Sequence, residues 1–263
     1  MELSILTNDE AKPGFFFEHG LSVYIQHQGK HILFDTGYTD VYLKNARKLG
    51  IDFITTDYIV LSHGHYDHTG GLRYFISNSD LKEIIIHKDA FNPKYAKENY
   101  LRFNGIPFNE KEILWANKLF HKVEDFYKID DKMYVLGNIQ NDRPNRKYYV
   151  NQEVDQFYDE IILILEEQDE LTLFLGCSHF GVKNGIEKVK KLFPNKKIKT
   201  LLAGMHSNSW DDEQIEELSR YLETIHFDVL IPLHCTGQEA MLKFKEVFKE
   251  KCILLKAGDN LHI

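Results

Sequence analysis

Four residues within a stretch of six carry the strongest chemical signal in this chain of 263 residues: His63, His65, Asp67 and His68. Three imidazoles and one carboxylate packed so closely suit a transition-metal site. Residues two apart in an extended segment point the same way, so His63 and His65 can grip one ion together. Asp67 and His68 fall where the chain turns into a helix, and they can reach a second ion alongside. Imidazole with carboxylate favours zinc, iron, manganese or nickel over calcium or magnesium. Catalytic zinc usually takes three protein ligands and leaves a position for water. The bland alternative is a chance cluster of surface histidines. Against it stand the apolar run 58–61 just before the motif and the pair Gly70-Gly71 just after it, which permits close backbone packing.

The elements that must position these groups alternate between strands and helices. Residues 3–6, 21–27 and 31–34 read as short strands, the last two joined in a hairpin through Gly29. A helix over 40–49 ends at Gly50, a buried strand covers 58–61, a helix follows the motif over 69–77, and 84–86 is another buried strand. Residues 91–128 are richer in helix formers and aromatics, including Trp115, and read as a mostly helical excursion over the site, with the aromatics as its packing. The polar stretch 138–151 reads as a loop. A hairpin over 161–166 and 171–175 turns at Gln168-Asp169. Helices over 181–193, 211–224 and 238–249 alternate with strands over 198–202 and 228–233. This rhythm implies an α/β protein with helices covering the sheets.

The second half echoes the first. Three early strands end in Asp35-Thr36-Gly37, Ser62-His63 and His87. Three late ones end in Gly176-Cys177-Ser178-His179, Gly204-Met205-His206 and His234-Cys235. Ligand-type residues thus gather at corresponding strand ends, where open α/β sheets place their active sites.

Composition excludes several classes. A net charge of −8 argues against general nucleic-acid binding, though it leaves room for a local basic pocket that takes an anionic small molecule. No apolar run reaches the roughly 18–20 residues of a membrane span. The N-terminus lacks the basic start and apolar middle of a signal peptide. The 3 cysteines include no C-x-x-C pair, so no disulfide framework is expected and a cytoplasmic location is the simplest reading. Oligomeric state stays open.

The run Leu61-Ser62-His63-Gly64-His65-Tyr66-Asp67-His68-Thr69-Gly70-Gly71 resembles the signature of the metallo-β-lactamase-fold hydrolases, and Phe34-Asp35-Thr36-Gly37 resembles that superfamily's strand-end Asp-Thr-Gly. Glu18-His19-Gly20-Leu21-Ser22, Gly176-Cys177-Ser178-His179, Gly204-Met205-His206 and Leu233-His234-Cys235-Thr236-Gly237 are similar to one branch, the 7,8-dihydropterin-6-yl-methyl-4-(β-D-ribofuranosyl)aminobenzene-5′-phosphate synthase-like proteins. The resemblance implies a single domain over 1–263, an αββα sandwich of two similar halves with mixed sheets and a helical insertion. It also implies two divalent transition metals, zinc foremost. His63, His65 and His179 would hold one, and Asp67, His68 and His234 the other. Many superfamily members carry a further bridging aspartate after the third histidine. No match to it stands between His179 and His234, so Cys177 or water would take that place.

With each ion left open, a shared water can lie between them, its pKa lowered from about 15.7 to about 7. The expected activity is hydrolysis of a small phosphoester or ester-like metabolite, with Asp67 and His206 as catalytic residues and His206 assisting the leaving group. Asp35 is expected to accept a hydrogen bond from a ligand imidazole, against a plain turn role, and His19 to line the pocket, against an edge role. One rival is a transferase that condenses a dihydropterin diphosphate with an aminobenzene ribofuranosyl phosphate. Another is a metal-binding sensor without turnover.

Overall fold

The structure is a computed structural model. It describes residues 1–76 and 83–263, without the side chains of residues 76 and 115–117. The expectations placed on Ser77 and on the Trp115 side chain therefore lie outside the described residues. Along the chain run β1 (Glu2–Thr7), β2 (Ser22–His27), β3 (Lys30–Phe34), α1 (Val41–Leu49), β4 (Tyr58–Val60), α2 (Tyr66–Thr69), α3 (Leu72–Ile76) and β5 (Glu83–His87). Then come β6 (Lys94–Lys97), β7 (Leu101–Phe103), α4 (Glu110–Leu119), β8 (Phe120–Val123), β9 (Phe126–Asp130), β10 (Met133–Leu136), β11 (Tyr148–Val150) and β12 (Glu153–Val154). The last part holds β13 (Ile162–Glu167), β14 (Glu170–Leu175), α5 (Val182–Leu192), β15 (Lys197–Gly204), α6 (Asp212–Glu223), β16 (Val229–Leu233), α7 (Gln238–Phe248) and β17 (Asn260–His262). Two compact units result: Met1–Val123 with Asn145–Asp155 and Lys256–Ile263, and Glu124–Pro144 with Gln156–Leu255.

The first unit is built on a 7-stranded mixed sheet in the order β17-β1-β2-β3-β4-β5-β8. β1, β2 and β3 pair antiparallel, whereas β3, β4, β5 and β8 run parallel. Gln28 and Gly29 turn the β2–β3 hairpin with φ of 48° and 75°, the positive pair a tight hairpin of this kind needs. Gly50 closes α1 in the left-handed region at φ 73°, where its N–H reaches the last carbonyls of the helix. One sheet face packs Leu33, Ile59, Leu61, Ile84 and Ile86 with Tyr42 and Ala46 of α1 and with Phe75.

This unit also holds a 4-stranded sheet, β12-β11-β6-β7. It corrects the reading of 91–128 as mostly helical: only α4 is helix there, and β6, β7, β8 and the start of β9 take up half of the rest. Tyr95 stands directly opposite Phe103, their rings edge-on at 5.6 Å, and such cross-strand aromatic pairs are what stabilises a sheet. β6 takes its other partner from β11, inside the stretch 138–151 read as loop. A pairing so distant in sequence overrides local helix propensity.

The second unit carries a 6-stranded sheet, β16-β15-β14-β13-β10-β9. β13 and β14 form the expected hairpin, with Gln168 and Asp169 at positive φ. β14, β15 and β16 then run parallel, linked by α5 and α6. Ile186 and Val189 of α5, Ile215 and Leu222 of α6 and Phe244 of α7 close over Ile164, Leu173, Leu201 and Leu230 of the sheet. Among the described residues no helix is long and apolar enough to cross a membrane.

Candidate metal centre

In the first unit the motif follows β4. Just past the strand the Leu61 N–H donates to the Ile85 carbonyl, His65 holds an extended backbone as the N-cap of α2, and the helix begins at Tyr66. Gly71 locks this turn in place, because a Cβ there would lie 2.0 Å from the Thr36 carbonyl oxygen. His63, His65, Asp67 and His68 are all buried.

The hydrogen bonds fix which nitrogens carry protons. Asp35 sits at the end of β3 with φ 56° and is fully buried. Its Oδ1 accepts from the Ser62 N–H at 2.7 Å, and its Oδ2 accepts from Ser62 Oγ at 2.7 Å. Ser62 has only that one hydroxyl proton to give. His63 Nδ1, 2.9 Å from the same oxygen, must therefore donate, which leaves His63 Nε2 as a lone pair. His68 Nδ1 lies 2.7 Å from Asp35 Oδ2 and donates to it, so His68 Nε2 is also a lone pair. Burial, reinforced by His68 and His65, holds the pKa of His63 well below the ordinary histidine value, against the opposing pull of Asp67. A neutral imidazole is the form that binds metal.

The rest of this half-site surrounds those nitrogens. His63 Nε2 and His65 Nδ1 face each other at 2.9 Å. Asp67 Oδ2 lies 3.9 Å from His68 Nε2 and 3.2 Å from His19 Nε2. His19 is more exposed, and its Nδ1 meets Asp9 Oδ2 at 3.1 Å. His19 thus bridges two acids at the rim. Glu18 accepts from the N–H groups of Tyr38 and Thr39 and shapes the turn after β3. Buried Asn104 places its amide 3.1 Å from His65 Nε2, and Tyr148 lays its ring 5.7 Å from that of His65. Lys94 and Asp155 form a buried ion pair at 2.6 Å in the same region of the small sheet.

The second unit builds its own cluster at the ends of β14, β15 and β16. Ser178, His206 and His234 hold left-handed backbones with φ of 55°, 47° and 49°. Such conformations cost about 1–3 kcal/mol each and tend to collect at functional sites. Their surroundings enforce them: Ser178 Oγ donates to the Gly204 carbonyl at 2.7 Å, and the His206 N–H donates to Cys235 Sγ at 3.2 Å. The His179 ring stacks on Phe157 at 3.9 Å and stands 4.4 Å from the His206 ring. Ligand atoms of Cys177, His179 and His206 all lie within 4.8 Å of one another, as do those of Cys177, His234 and Cys235. Burial raises the Cys235 thiol, but hydrogen bonds with Cys177 and His206 and the nearby His234 outweigh it and leave it well below its usual value.

Glu160 braces this cluster as Asp35 braces the first. It is fully buried, and its two carboxylate oxygens accept from the N–H of Cys177 at 3.1 Å and of Phe180 at 3.3 Å. The turn bearing His179 is thus pinned on both sides. Burial pushes the Glu160 carboxyl up to about 8, against the lowering effect of those two N–H groups.

The first unit therefore brings together His19, Asp35, His63, His65, Asp67 and His68, and the second Cys177, His179, His206 and His234. Sequence reasoning missed Asn104 and Glu160. Neither lies in a ligand-spaced motif; Glu160 follows Asp159 just before an apolar strand, and nothing in the sequence sets it apart from a surface acid.

The chain is similar to several known proteins. The family profile described as the metallo-beta-lactamase superfamily matches residues 16–151. An uncharacterised protein of Methanocaldococcus jannaschii is 35% identical over 256 residues, covering 93% of this chain and 94% of its own. The 7,8-dihydropterin-6-methyl-4-(beta-D-ribofuranosyl)-aminobenzene-5′-phosphate synthase of the same organism is 30% identical over 264 residues, covering 93% of this chain and 90% of its own. The crystal structure of Tm1679, described as a metal-dependent hydrolase of the beta-lactamase superfamily, superposes with a TM-score of 0.86 at 33% identity over 100% of this chain and 99% of that one. The short form of human tRNase Z shares the fold at a TM-score of 0.61 and 14% identity, over 100% of this chain and 99% of that one.

Proposed function

We propose that this chain, which belongs to the metallo-beta-lactamase superfamily, is a metal-dependent hydrolase that cleaves a phosphoester or another ester-like bond in a small, anionic metabolite. In the first unit His63, His65, Asp67 and His68 would supply metal ligands, and in the second His179 and His234 would do so. Zinc is the first choice, with iron, manganese or nickel as alternatives. The observation that carries the reading is the proton arrangement around Ser62 and Asp35, which leaves His63 Nε2 and His68 Nε2 as buried lone pairs.

When bound, such ions polarise the bond under attack and make water a nucleophile near neutral pH. The chain's own residues do the rest. Asp35 and Ser62 hold two imidazoles in one tautomer and one orientation. Asp67 supplies a buried carboxylate, steadied by the more exposed His19. His206, half-buried beside His179, would hand a proton to the departing oxygen.

Elemental analysis of purified protein together with turnover on a panel of phosphoesters and lactones tests this. His63→Ala is expected to lose both metal and activity. Full activity in protein stripped of metal ends the reading.

A second reading is supported by the 30% identity with a synthase. It is a transferase that joins a dihydropterin diphosphate to an aminobenzene ribofuranosyl phosphate, with the same ions binding the diphosphate. Product analysis with and without the aromatic acceptor separates the two: a new carbon–nitrogen bond that forms only with acceptor present selects the transferase.

A further inference from the structure

We infer that Asn104 is a positioning residue that holds the His65 proton on Nε2 and so directs His65 Nδ1 to the metal. The inference rests on the metal reading above and extends it to a residue outside the motif.

The argument starts from the proton count. His63 Nε2 is already a lone pair, because its Nδ1 must donate to Ser62 Oγ. His65 Nδ1 faces it at 2.9 Å. For one ion to take both nitrogens, His65 must keep its proton on Nε2. A buried N–H needs an acceptor. The group at that position is the Asn104 amide, 3.1 Å from His65 Nε2 and on a residue only 3% exposed.

Asn104 can supply the acceptor. A half-turn of an amide about its terminal bond exchanges Oδ1 and Nδ2 with almost no change of shape. Nδ2 faces His65 in the structure, and Oδ1 is buried with no hydrogen-bond partner among the described residues. The exchange gives that oxygen the Nε2–H and loses no other side-chain hydrogen bond of Asn104. The backbone keeps the amide in range. The Asn104 N–H donates to the Lys94 carbonyl at 3.0 Å, and its own carbonyl accepts from the Tyr66 N–H at 3.1 Å. One residue thus ties the small sheet to the start of α2, immediately beside His65. Asp35 does the same for His68 with a carboxylate, and Ser62 for His63 with a hydroxyl. With Asn104, each motif imidazole has a partner on the nitrogen that faces away from the ion.

The test measures zinc affinity by chelator competition in wild type, Asn104→Leu and Asn104→Asp, and reads the His65 tautomer by long-range nitrogen–proton NMR on zinc-loaded wild type. Loss of a hydrogen-bond partner to a ligand imidazole typically weakens metal binding by about 10- to 100-fold, and Asn104→Leu is expected to fall in that range. Asn104→Asp keeps an acceptor in the same shape and is expected to bind zinc at least as tightly as wild type. The spectrum is expected to show the proton on Nε2, a readout that needs no variant to fold. Wild-type affinity in Asn104→Leu, or a His65 proton on Nδ1 in the loaded protein, overturns the inference while leaving the metal reading intact. A wild type that takes up no transition metal ends both.

Discussion

His68 donates from Nδ1 to Asp35 Oδ2 across 2.7 Å, with both side chains wholly shielded from solvent. The same carboxylate also accepts from the Ser62 N–H and Ser62 Oγ. Three donors on two oxygens exceed what an amide can satisfy, because Asn offers one oxygen and its nitrogen only donates. Asp35→Asn is therefore expected to lose at least one of these bonds and to release the orientation of His63 or His68. Zinc affinity, measured by chelator competition, should fall by about 10- to 100-fold. The unfolding free energy from chemical denaturation should fall too, by about 1–3 kcal/mol for a buried donor left unmatched. Unchanged zinc binding would show that the carboxylate serves the fold alone.

Glu160 gives a pH test with a defined sign. Its carboxyl titrates at about 8 in the folded chain against an ordinary 4.5. Between those values the folded state binds more protons than the unfolded one, so this group's contribution falls as pH rises through the window and levels off above about 8. At about 1.4 kcal/mol per pKa unit the full effect is on the order of a few kcal/mol. Glu160→Gln removes the titration. Its melting temperature relative to wild type, in chelator-treated protein, should therefore rise from pH 5 to pH 8. A difference that stays flat across this window means the carboxyl ionises normally.

How much of this was legible in the sequence follows from the distance between partners. His63, His65, Asp67 and His68 lie within one turn and strand end, so spacing alone brought them together. The hairpins at Gln28-Gly29 and Gln168-Asp169 and the stop at Gly50 were equally local, since each depends on residues that tolerate positive φ. Asn104 and Glu160 were not legible. Asn104 reaches His65 from 39 positions away, and Glu160 reaches Cys177 and Phe180 across 17 and 20. Their importance lies in contacts that only the folded backbone creates. The region 91–128 was misread for the same reason: Lys94, Tyr95 and Ala96 pair with Val150, Tyr149 and Tyr148, and no local window contains both sides.

Gly71 offers a purely steric check on the turn that follows the motif. A methyl group there would meet the Thr36 carbonyl oxygen at 2.0 Å and the Thr39 carbonyl oxygen at 2.8 Å, and both are backbone atoms that cannot rotate away. The Thr36 N–H also donates to the His68 carbonyl at 2.8 Å, so a displaced Thr36 strand end pulls on the motif itself. Gly71→Ala is expected to cost about 1–3 kcal/mol of stability from overpacking. It should also lower zinc affinity, although no ligand has changed. Gly14→Ala, where an added Cβ meets nothing within 4 Å but φ is 86°, serves as the control for backbone strain without collision. If the two variants bind zinc alike, the collision does not reach the site.

Lys94 and Asp155 decide whether the small sheet owes its place to charge or to shape. Their 2.6 Å contact is almost fully buried, with side chains 2% and 4% exposed. Taking two charges out of water is costly, and their attraction in the interior does little more than offset that cost. Removing one partner is another matter, because it takes from the other buried charge its counterion at 2.6 Å. Asp155→Ala is expected to destabilise the protein by about 3–5 kcal/mol in urea denaturation. The joint replacement Lys94→Met with Asp155→Leu fills the same space without charge, and should recover most of that loss. Its effect on metal follows separately, since Lys94 is one of the groups that lower the His63 pKa. Without that cation, His63 holds a proton more readily, so the double variant should lose zinc at a somewhat higher pH than wild type during acid titration. A double variant as unstable as Asp155→Ala would mean that the pair is needed for its hydrogen bonds, and not only to give each buried charge a counterion.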